Sequence, residues 1–140
     1  MAAAQSRRGA AQERTLPELG QMLLGSAYRS AESKDGTAFY EVAPKQDGDP
    51  DQNYRRLYMT SSLVMATTFN LHPEIKKINF KVVDREDTSR RLAAFSITRE
   101  ASSKIDWSHG VPPEVVIKAV KTDYLDPAFK DAAARFAAPE

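Results

Sequence analysis

The chain has 140 residues, a net charge of +1 and a hydrophobic fraction of 41%, values typical of one soluble globular domain. The small net charge excludes a strong overall attraction to nucleic acid or anionic lipid. The absence of cysteine excludes disulfides, thiolate metal sites and cysteine nucleophiles. No apolar run approaches the roughly 20 residues of a membrane-spanning helix.

Residues 1–14 are small, polar and basic and predict a flexible tail or tether ahead of a single domain, residues 15–140. They lack the apolar stretch of an intact signal peptide. Their Ala/Gln/Ser/Arg composition is typical of a spacer; an alternative to a simple flexible tail is that Met1 replaces an upstream export signal or lipidated cysteine. This alternative favours an extracytoplasmic, tethered protein slightly over a cytoplasmic one.

The first predicted helix starts with a capping box formed by Thr15 and Glu18, in which each side chain satisfies a free N–H of the first turn. Its apolar spacing continues to about Ser30. Gly20 and Gly25 each weaken the helix by about 1 kcal/mol relative to Ala. We therefore expect this helix to depend on tertiary packing.

The longest helical pattern runs over residues 51–71, with Asp51 as its cap and Pro73 as its stop. Its apolar stripe consists of Tyr54, Leu57, Tyr58, Ser61, Met65 and Phe69. This spacing of three and four predicts one long helix with a buried face.

Three stretches predict strands. Residues 37–43 follow the Asp35-Gly36 turn and are rich in aromatic and β-branched side chains. Residues 76–83 alternate between apolar and polar positions, and residues 91–98 return after a turn. The last two predict a hairpin with one wet face, whose apolar face packs against the long helix.

The C-terminal part predicts helices. A short turn of helix is expected within residues 101–107, and a helix is expected from Pro112 or Pro113 to Lys121. Asp126 followed by Pro127 opens a last helix to about Ala138. In the helix that starts at Pro112 or Pro113, the side chains expected to face inward are Val115, Val116 and Val120.

The predicted order α-β-α-β-β-α-α indicates an α+β fold: a small, mostly antiparallel sheet with a β-α-β-β core, packed on one face by helices. An N-terminal helix and two C-terminal helices complete it. This topology is similar to that of small scaffolding modules of secretion and envelope machineries, although no residue motif accompanies the similarity.

The sequence contains no recognisable catalytic, nucleotide or metal motif. Residues 47–51 alternate carboxylates as calcium loops do, but Gln52 and Tyr58 replace the required glycine and glutamate. His72 and His109 have no ligand spacing. We therefore predict no metal, no cofactor and a protein that leans towards a non-catalytic role.

Two sets of residues remain candidates for binding. Trp107, His109 and Asp106 combine an indole, an imidazole and an acid in one segment, and Tyr54 and Tyr58 could line a pocket with them. The plainer interpretation is that Trp107 fills the edge of the core while Asp106 caps a turn.

The second set is basic, because residues 51–100 carry a surplus of Lys and Arg. The candidate cations are Arg55, Arg56, Lys77 and Lys81. A basic sheet face can follow a phosphate backbone, but single-strand binders add exposed aromatic side chains for stacking. Phe80 and Phe95 belong to the predicted core, so nucleic-acid binding is the weakest reading.

We predict a non-catalytic protein-interaction or assembly domain that docks on other proteins through a sheet edge, an apolar patch or the basic face. The alternative is a small ligand-binding domain or enzyme with a pocket near Trp107 and His109.

Overall fold

A computed structural model of the chain describes residues 14–137, so the predicted tail lies outside the described residues except for Arg14. The elements are α1 (Leu16–Leu24), β1 (Tyr28–Lys34), β2 (Thr37–Val42), α2 (Pro50–Ser62), α3 (Met65–Leu71), β3 (Lys77–Val83), β4 (Arg91–Thr98), α4 (Arg99–Ser103), α5 (Pro113–Ala119), β5 (Lys121–Leu125) and α6 (Lys130–Ala137). Within this part of the chain, no helix is long and apolar enough to cross a bilayer.

The five strands form one sheet in the order β1-β2-β3-β4-β5. Neighbouring strands are antiparallel except for β2 and β3, which are parallel. A parallel pair of neighbours needs a long crossover connection, and α2 and α3 supply it. The predicted α+β class, the mostly antiparallel sheet and its β-α-β-β core are confirmed.

Helices pack on one face of the sheet. The predicted contact between the long helical segment and the hairpin is confirmed, because Leu57, Val64, Met65, Phe80 and Phe95 are all at most 2% exposed and belong to one cluster. The Tyr58 ring lies 4.6 Å from the Phe95 ring, centroid to centroid. Aromatic pairs at this distance add to the free energy of burial.

Two hydroxyl pairs, one buried and one partly buried, connect the helices to the strands. The Tyr40 hydroxyl lies 2.8 Å from the Thr68 hydroxyl, and the Tyr58 hydroxyl lies 2.9 Å from that of Thr122. Burial raises the pKa of both tyrosines. The phenols therefore stay protonated and satisfy polar groups that would otherwise cost free energy to bury.

The first helix is shorter than predicted. It ends at Leu24 because Gly25 adopts a positive φ of 55°, which glycine tolerates and other residues resist. The chain then forms the edge strand β1 in place of the predicted last turn of helix. At the other end, Thr15 caps the helix by accepting from the Glu18 amide at 3.3 Å, as predicted.

Gly20 has a packing role that explains its place in a helix. A Cβ atom at this position would lie 2.5 Å from the ring of Tyr28. The absent side chain therefore lets β1 approach α1 closely, which offsets the low helix propensity of glycine.

The predicted long helix is divided in two. Its cap is Asp49, not Asp51: the Asp49 carboxylate accepts from the Gln52 amide at 2.8 Å, and the Gln52 side chain accepts from the Asp49 amide at 3.1 Å. Pro50 then occupies the first helical position, where its missing N–H is harmless. Asp51 instead pairs with Arg135 of α6.

The division lies at Leu63 and Val64. Just before it, the Ser61 hydroxyl donates to the Leu57 carbonyl and the Ser62 hydroxyl donates to the Met59 carbonyl. Hydroxyls that bond to carbonyls of the preceding turn bend helices. The change of direction leaves Leu63 54% exposed.

The C-terminal prediction was wrong in one element. The helix from Pro113 ends at Ala119, and the chain continues as strand β5. Val116 is buried, whereas Val115 is 39% exposed, because only one face of this short helix meets the core. Asp126 caps a 3-10 turn by accepting from the Ala128 amide at 2.8 Å, and α6 follows.

Candidate docking surface

The face of the sheet opposite the helices is here called the open sheet face. Side chains alternate between the two faces of each strand, so strand register places the open-face residues in cross-strand rows. The rows are Lys34-Thr37-Lys77-Thr98, Glu32-Phe39-Asn79-Ser96-Lys121 and Ser30-Glu41-Lys81-Ala94-Tyr124.

The open sheet face contains a shallow groove of about 450 Å³. Its floor is made of short side chains, including Ala94, beside Ser96, which is 4% exposed. Longer side chains surround this floor, and the Phe39 ring among them is 37% exposed. Aromatic side chains are enriched in protein interfaces relative to the rest of the protein surface.

The charges of the open sheet face are mixed but unevenly distributed. The charged side chains that the central strands β3 and β4 place there are all cations, namely Lys77, Lys81 and Arg91. Acidic groups lie towards the edges. The Glu41 carboxylate forms ion pairs with Lys81 at 3.4 Å and with Arg29 at 3.8 Å.

An aromatic–cation pair borders the β5 side of the groove. The Arg91 guanidinium carbon lies 4.2 Å from the centroid of the Tyr124 ring, a distance at which the ring quadrupole attracts the cation. This contact holds the guanidinium over a hydrophobic surface, so Arg91 presents an ordered cation to any molecule in the groove.

The predicted basic residues do not share one surface. Lys77 and Lys81 both lie on the open sheet face. Arg55 and Arg56 belong to α2 on the other side of the sheet, where Arg55 lies 6.0 Å from the Phe136 ring and Arg56 pairs with Asp47 at 2.5 Å. That pairing lowers the pKa of Asp47.

The predicted pocket residues are also dispersed. Tyr54 and Tyr58 are neighbours in the core, with ring centroids 5.5 Å apart, and burial raises the pKa of both. Trp107 is half-buried and its indole N–H donates to the Ser102 carbonyl at 2.9 Å. This contact fixes the loop after α4.

Asp106 and His109 lie in the exposed loop beyond Trp107. The Asp106 carboxylate accepts from the Ser108 amide at 3.0 Å and from the Ser108 hydroxyl, and these bonds lower its pKa. Each of four cavities among residues 14–137 has a lining that lacks any pairing of Trp107 or His109 with Tyr54 or Tyr58.

Docking was also predicted through a sheet edge or an apolar patch, and the structure has an exposed surface of each kind. The outer strand β1 carries exposed charges such as Glu32 and Lys34, which oppose the pairing of further strands. The apolar groove, about 630 Å³, is open and lies between α4 and α5, with Ile105 and Val115 in its lining.

The aromatic side chains of the open sheet face were missed by the sequence analysis. The alternation of residues 37–42 carried the signal for Phe39, because Ala38, Tyr40 and Val42 take the core positions and leave Phe39 on the other face. Tyr124 could not be placed, since β5 itself was not predicted.

Among residues 14–137, no group of three or more His, Cys, Asp or Glu side chains could hold a metal ion. Comparison of the chain with protein families, curated proteins and solved structures found no match.

Proposed function

We propose that this chain is a non-catalytic interaction domain that docks an acidic, extended segment of a partner protein on the open sheet face. The observation that carries the proposal is a sheet face without a covering helix among the described residues, on which Phe39 is 37% exposed beside Lys77 and Lys81. The floor of short side chains gives an apolar side chain of the segment a place to insert.

Charge complementarity selects the partner. The cations of β3 and β4 occupy the middle of the face, so carboxylates that lie above Lys77, Lys81 and Arg91 gain favourable Coulomb interactions. Such pairs increase the association rate and fix the register of the segment, whereas burial of an apolar side chain beside Phe39 contributes most of the affinity.

The same charges support a protein partner over nucleic acid. Glu32, Glu41 and Asp123 line the groove and would repel a phosphate backbone, which carries a charge at every nucleotide, whereas a peptide can place its carboxylates only above the central cations. Arg55 and Arg56, which would be needed for further phosphate contacts, lie across the sheet. Nucleic-acid binding through many phosphates would produce a steep decrease of affinity with salt, and we expect no such dependence.

The positions of the shifted pKa values support binding over catalysis. In the described part of the chain, the raised values belong to core tyrosines such as Tyr54, where burial is the main cause, and to arginines in surface ion pairs. The lowered values belong to carboxylates in caps and ion pairs, such as Asp47 and Asp126. Catalytic groups usually gather their shifts within one cleft. Asp47 and Arg90 do line one cleft, but their shifts come from surface ion pairs with Arg56 and Asp126.

A selection experiment tests the proposal. Random ten-residue peptides would be selected for binding to the protein, then assayed against a Lys77→Glu/Lys81→Glu double variant. We expect selected peptides to combine acidic and apolar residues and to lose at least about tenfold in affinity, because two favourable charge contacts become repulsive.

A Lys104→Glu/Lys118→Glu variant is the matched control, since it makes the same charge change at the apolar groove. Its binding should stay within about twofold, as expected for charges remote from the contact. Selected peptides that are basic, or that bind both variants equally, would contradict the proposal.

The predicted N-terminal tether and extracytoplasmic location belong to the same proposal and are supported by the composition of residues 1–14. Fractionation of the source cells tests them, because a cytoplasmic protein would contradict an assembly role in the envelope.

A further inference from the structure

A second cavity lies at one end of the sheet, away from the proposed docking groove. It has a volume of about 560 Å³, within the range of small-molecule sites. The loop before α2, the β3–β4 turn and the 3-10 turn before α6 form its walls. Pro50 provides exposed apolar surface, the largely buried Leu92 and Phe129 border it, and charged side chains occupy the other side.

Three carboxylates in and beside this cleft already have partners, whereas Glu86, which also lines the cleft, has no ion pair among residues 14–137. Asp47 pairs with Arg56 at 2.5 Å. Asp84 and Asp126 share Arg90, at 3.5 Å and 3.2 Å respectively. Asp126 also caps the 3-10 turn. These contacts form a fixed network, so these groups are not available to neutralise further cations.

Arg85 differs from the other cations of the cleft. Its Nε–H donates to the Ala43 carbonyl at 3.0 Å, which is its one hydrogen bond within residues 14–137. Ala43 is 1% exposed and lies at the end of β2. The bond therefore anchors the guanidinium to the rigid sheet. The terminal guanidinium nitrogens have no carboxylate partner within the described residues.

An anchored guanidinium with free N–H groups matches the planar geometry of a carboxylate, with which it forms two parallel hydrogen bonds. Lys45, which also lines the cleft, adds a second positive charge. Glu86 and Asp84 also line the cleft, and their like charge disfavours a doubly charged phosphate. The adjoining apolar wall fits a hydrocarbon or aromatic body.

We propose that this cleft binds a monocarboxylate with an apolar body, with Arg85 holding the carboxylate and the wall of Pro50, Leu92 and Phe129 holding the body. The site is independent of the docking function proposed above, since it uses a different surface. The carboxylate can belong to a free organic acid or to the carboxyl terminus of a peptide.

NMR titration of the intact chain tests this inference. The probes are phenylacetate and the tripeptide acetyl-Ala-Ala-Phe, each paired with its neutral amide. We expect the acids to shift the Arg85 Nε–H resonance with a dissociation constant of roughly 1 mM, as expected for ligands of this size, and the amides to bind at least about tenfold more weakly. Tighter binding of the tripeptide would assign the site to peptide termini, and tighter binding of phenylacetate to free acids.

Two variants separate this site from general surface binding. Arg85→Gln should weaken acid binding roughly 10- to 100-fold, because a charge-assisted hydrogen-bond pair is lost. Ala128→Phe leaves the cation in place but fills the cleft from an exposed position, and it should block both acids. Arg55→Gln, on the outer side of α2, is the control and should bind normally.

Acids that bind no better than their amides, or that bind Ala128→Phe with unchanged affinity, would overturn the inference. If Arg85→Gln is unfolded by circular dichroism, the Ala128→Phe result alone decides.

Discussion

The two faces of the sheet are built from the same strands but have different roles, because one face packs into the core and the other is the open sheet face. In β3, Phe80 contacts the core while the adjacent Asn79 and Lys81 face outward. On the inner face, Tyr40, Phe80 and Phe95 form a chain of aromatic contacts with centroids 5.8 Å and 5.2 Å apart. The outer face has no such chain. The free energy of folding therefore comes largely from one face, which leaves the other free to vary with its partner.

The largest expected difference between the faces concerns Phe95. Phe95→Ala should lower the free energy of unfolding by about 3–5 kcal/mol, because it removes a buried ring and leaves a cavity. Urea denaturation measures this. The outer-face control Lys81→Ala should change stability by less than about 0.5 kcal/mol. Equal effects of the two substitutions would mean that the faces are not distinct.

The next effect concerns the buried hydroxyl pair. Tyr40→Phe removes the partner of the Thr68 hydroxyl, which is fully buried, and should cost about 1–3 kcal/mol. Tyr124→Phe on the outer face is the matched control and should be nearly neutral. A Tyr40→Phe protein as stable as the parent in thermal unfolding would show that another group satisfies Thr68.

The attachment of the last helix gives a smaller, pH-dependent effect. Asp126 accepts from the Ala128 amide and pairs with Arg90, and both interactions lower its pKa. A carboxyl whose pKa is lower in the folded state contributes stability at pH values above its unfolded pKa of about 3.9, and this contribution disappears as the pH falls through the folded pKa.

Asp126→Ala should therefore cost about 0.5–2 kcal/mol at pH 7, as for other helix caps, and the difference from the parent should shrink towards pH 2. Urea titrations at several pH values measure it. A difference that stayed constant with pH would locate the effect in packing instead of charge.

Phe39 is the position at which we expect the smallest effect on stability and the largest effect on binding. Phe39→Ala should change the free energy of unfolding by less than about 1 kcal/mol, because the ring is already 37% exposed. The same substitution should abolish binding of the peptides selected on the open sheet face, measured by calorimetry. Large destabilisation with normal binding would reverse the assignment of the two faces.

The inner face was predictable from sequence, whereas much of the outer face was not. Periods of two and of three to four identify Phe80, Phe95, Leu57 and Met65 as core residues, because burial of apolar side chains dominates folding. The outer face depends on which strands become neighbours. β1 and β5 are polar, so neither gives a hydrophobic period, and the half-buried aromatic Tyr124 was missed together with β5.

The helix boundaries were also only partly predictable from the sequence. Asp49 and Asp51 are both able to cap a helix, and Pro50 decides between them because proline is favoured at the first helical position. The break after Ser62 and the end of α1 at Gly25 depend on local hydroxyl and glycine geometry. These features leave only weak traces in the apolar pattern.

The parallel pairing of β2 with β3 has a consequence for how the chain folds. Each hairpin, β1–β2 and β3–β4, joins strands that are close in sequence, so each can form early. The parallel seam joins residues about 40 positions apart, such as Tyr40 and Phe80, and must overcome a larger loss of chain entropy. We expect the two hairpins to form as separate halves and the seam to close last, with α2 and α3 docking in the rate-limiting step.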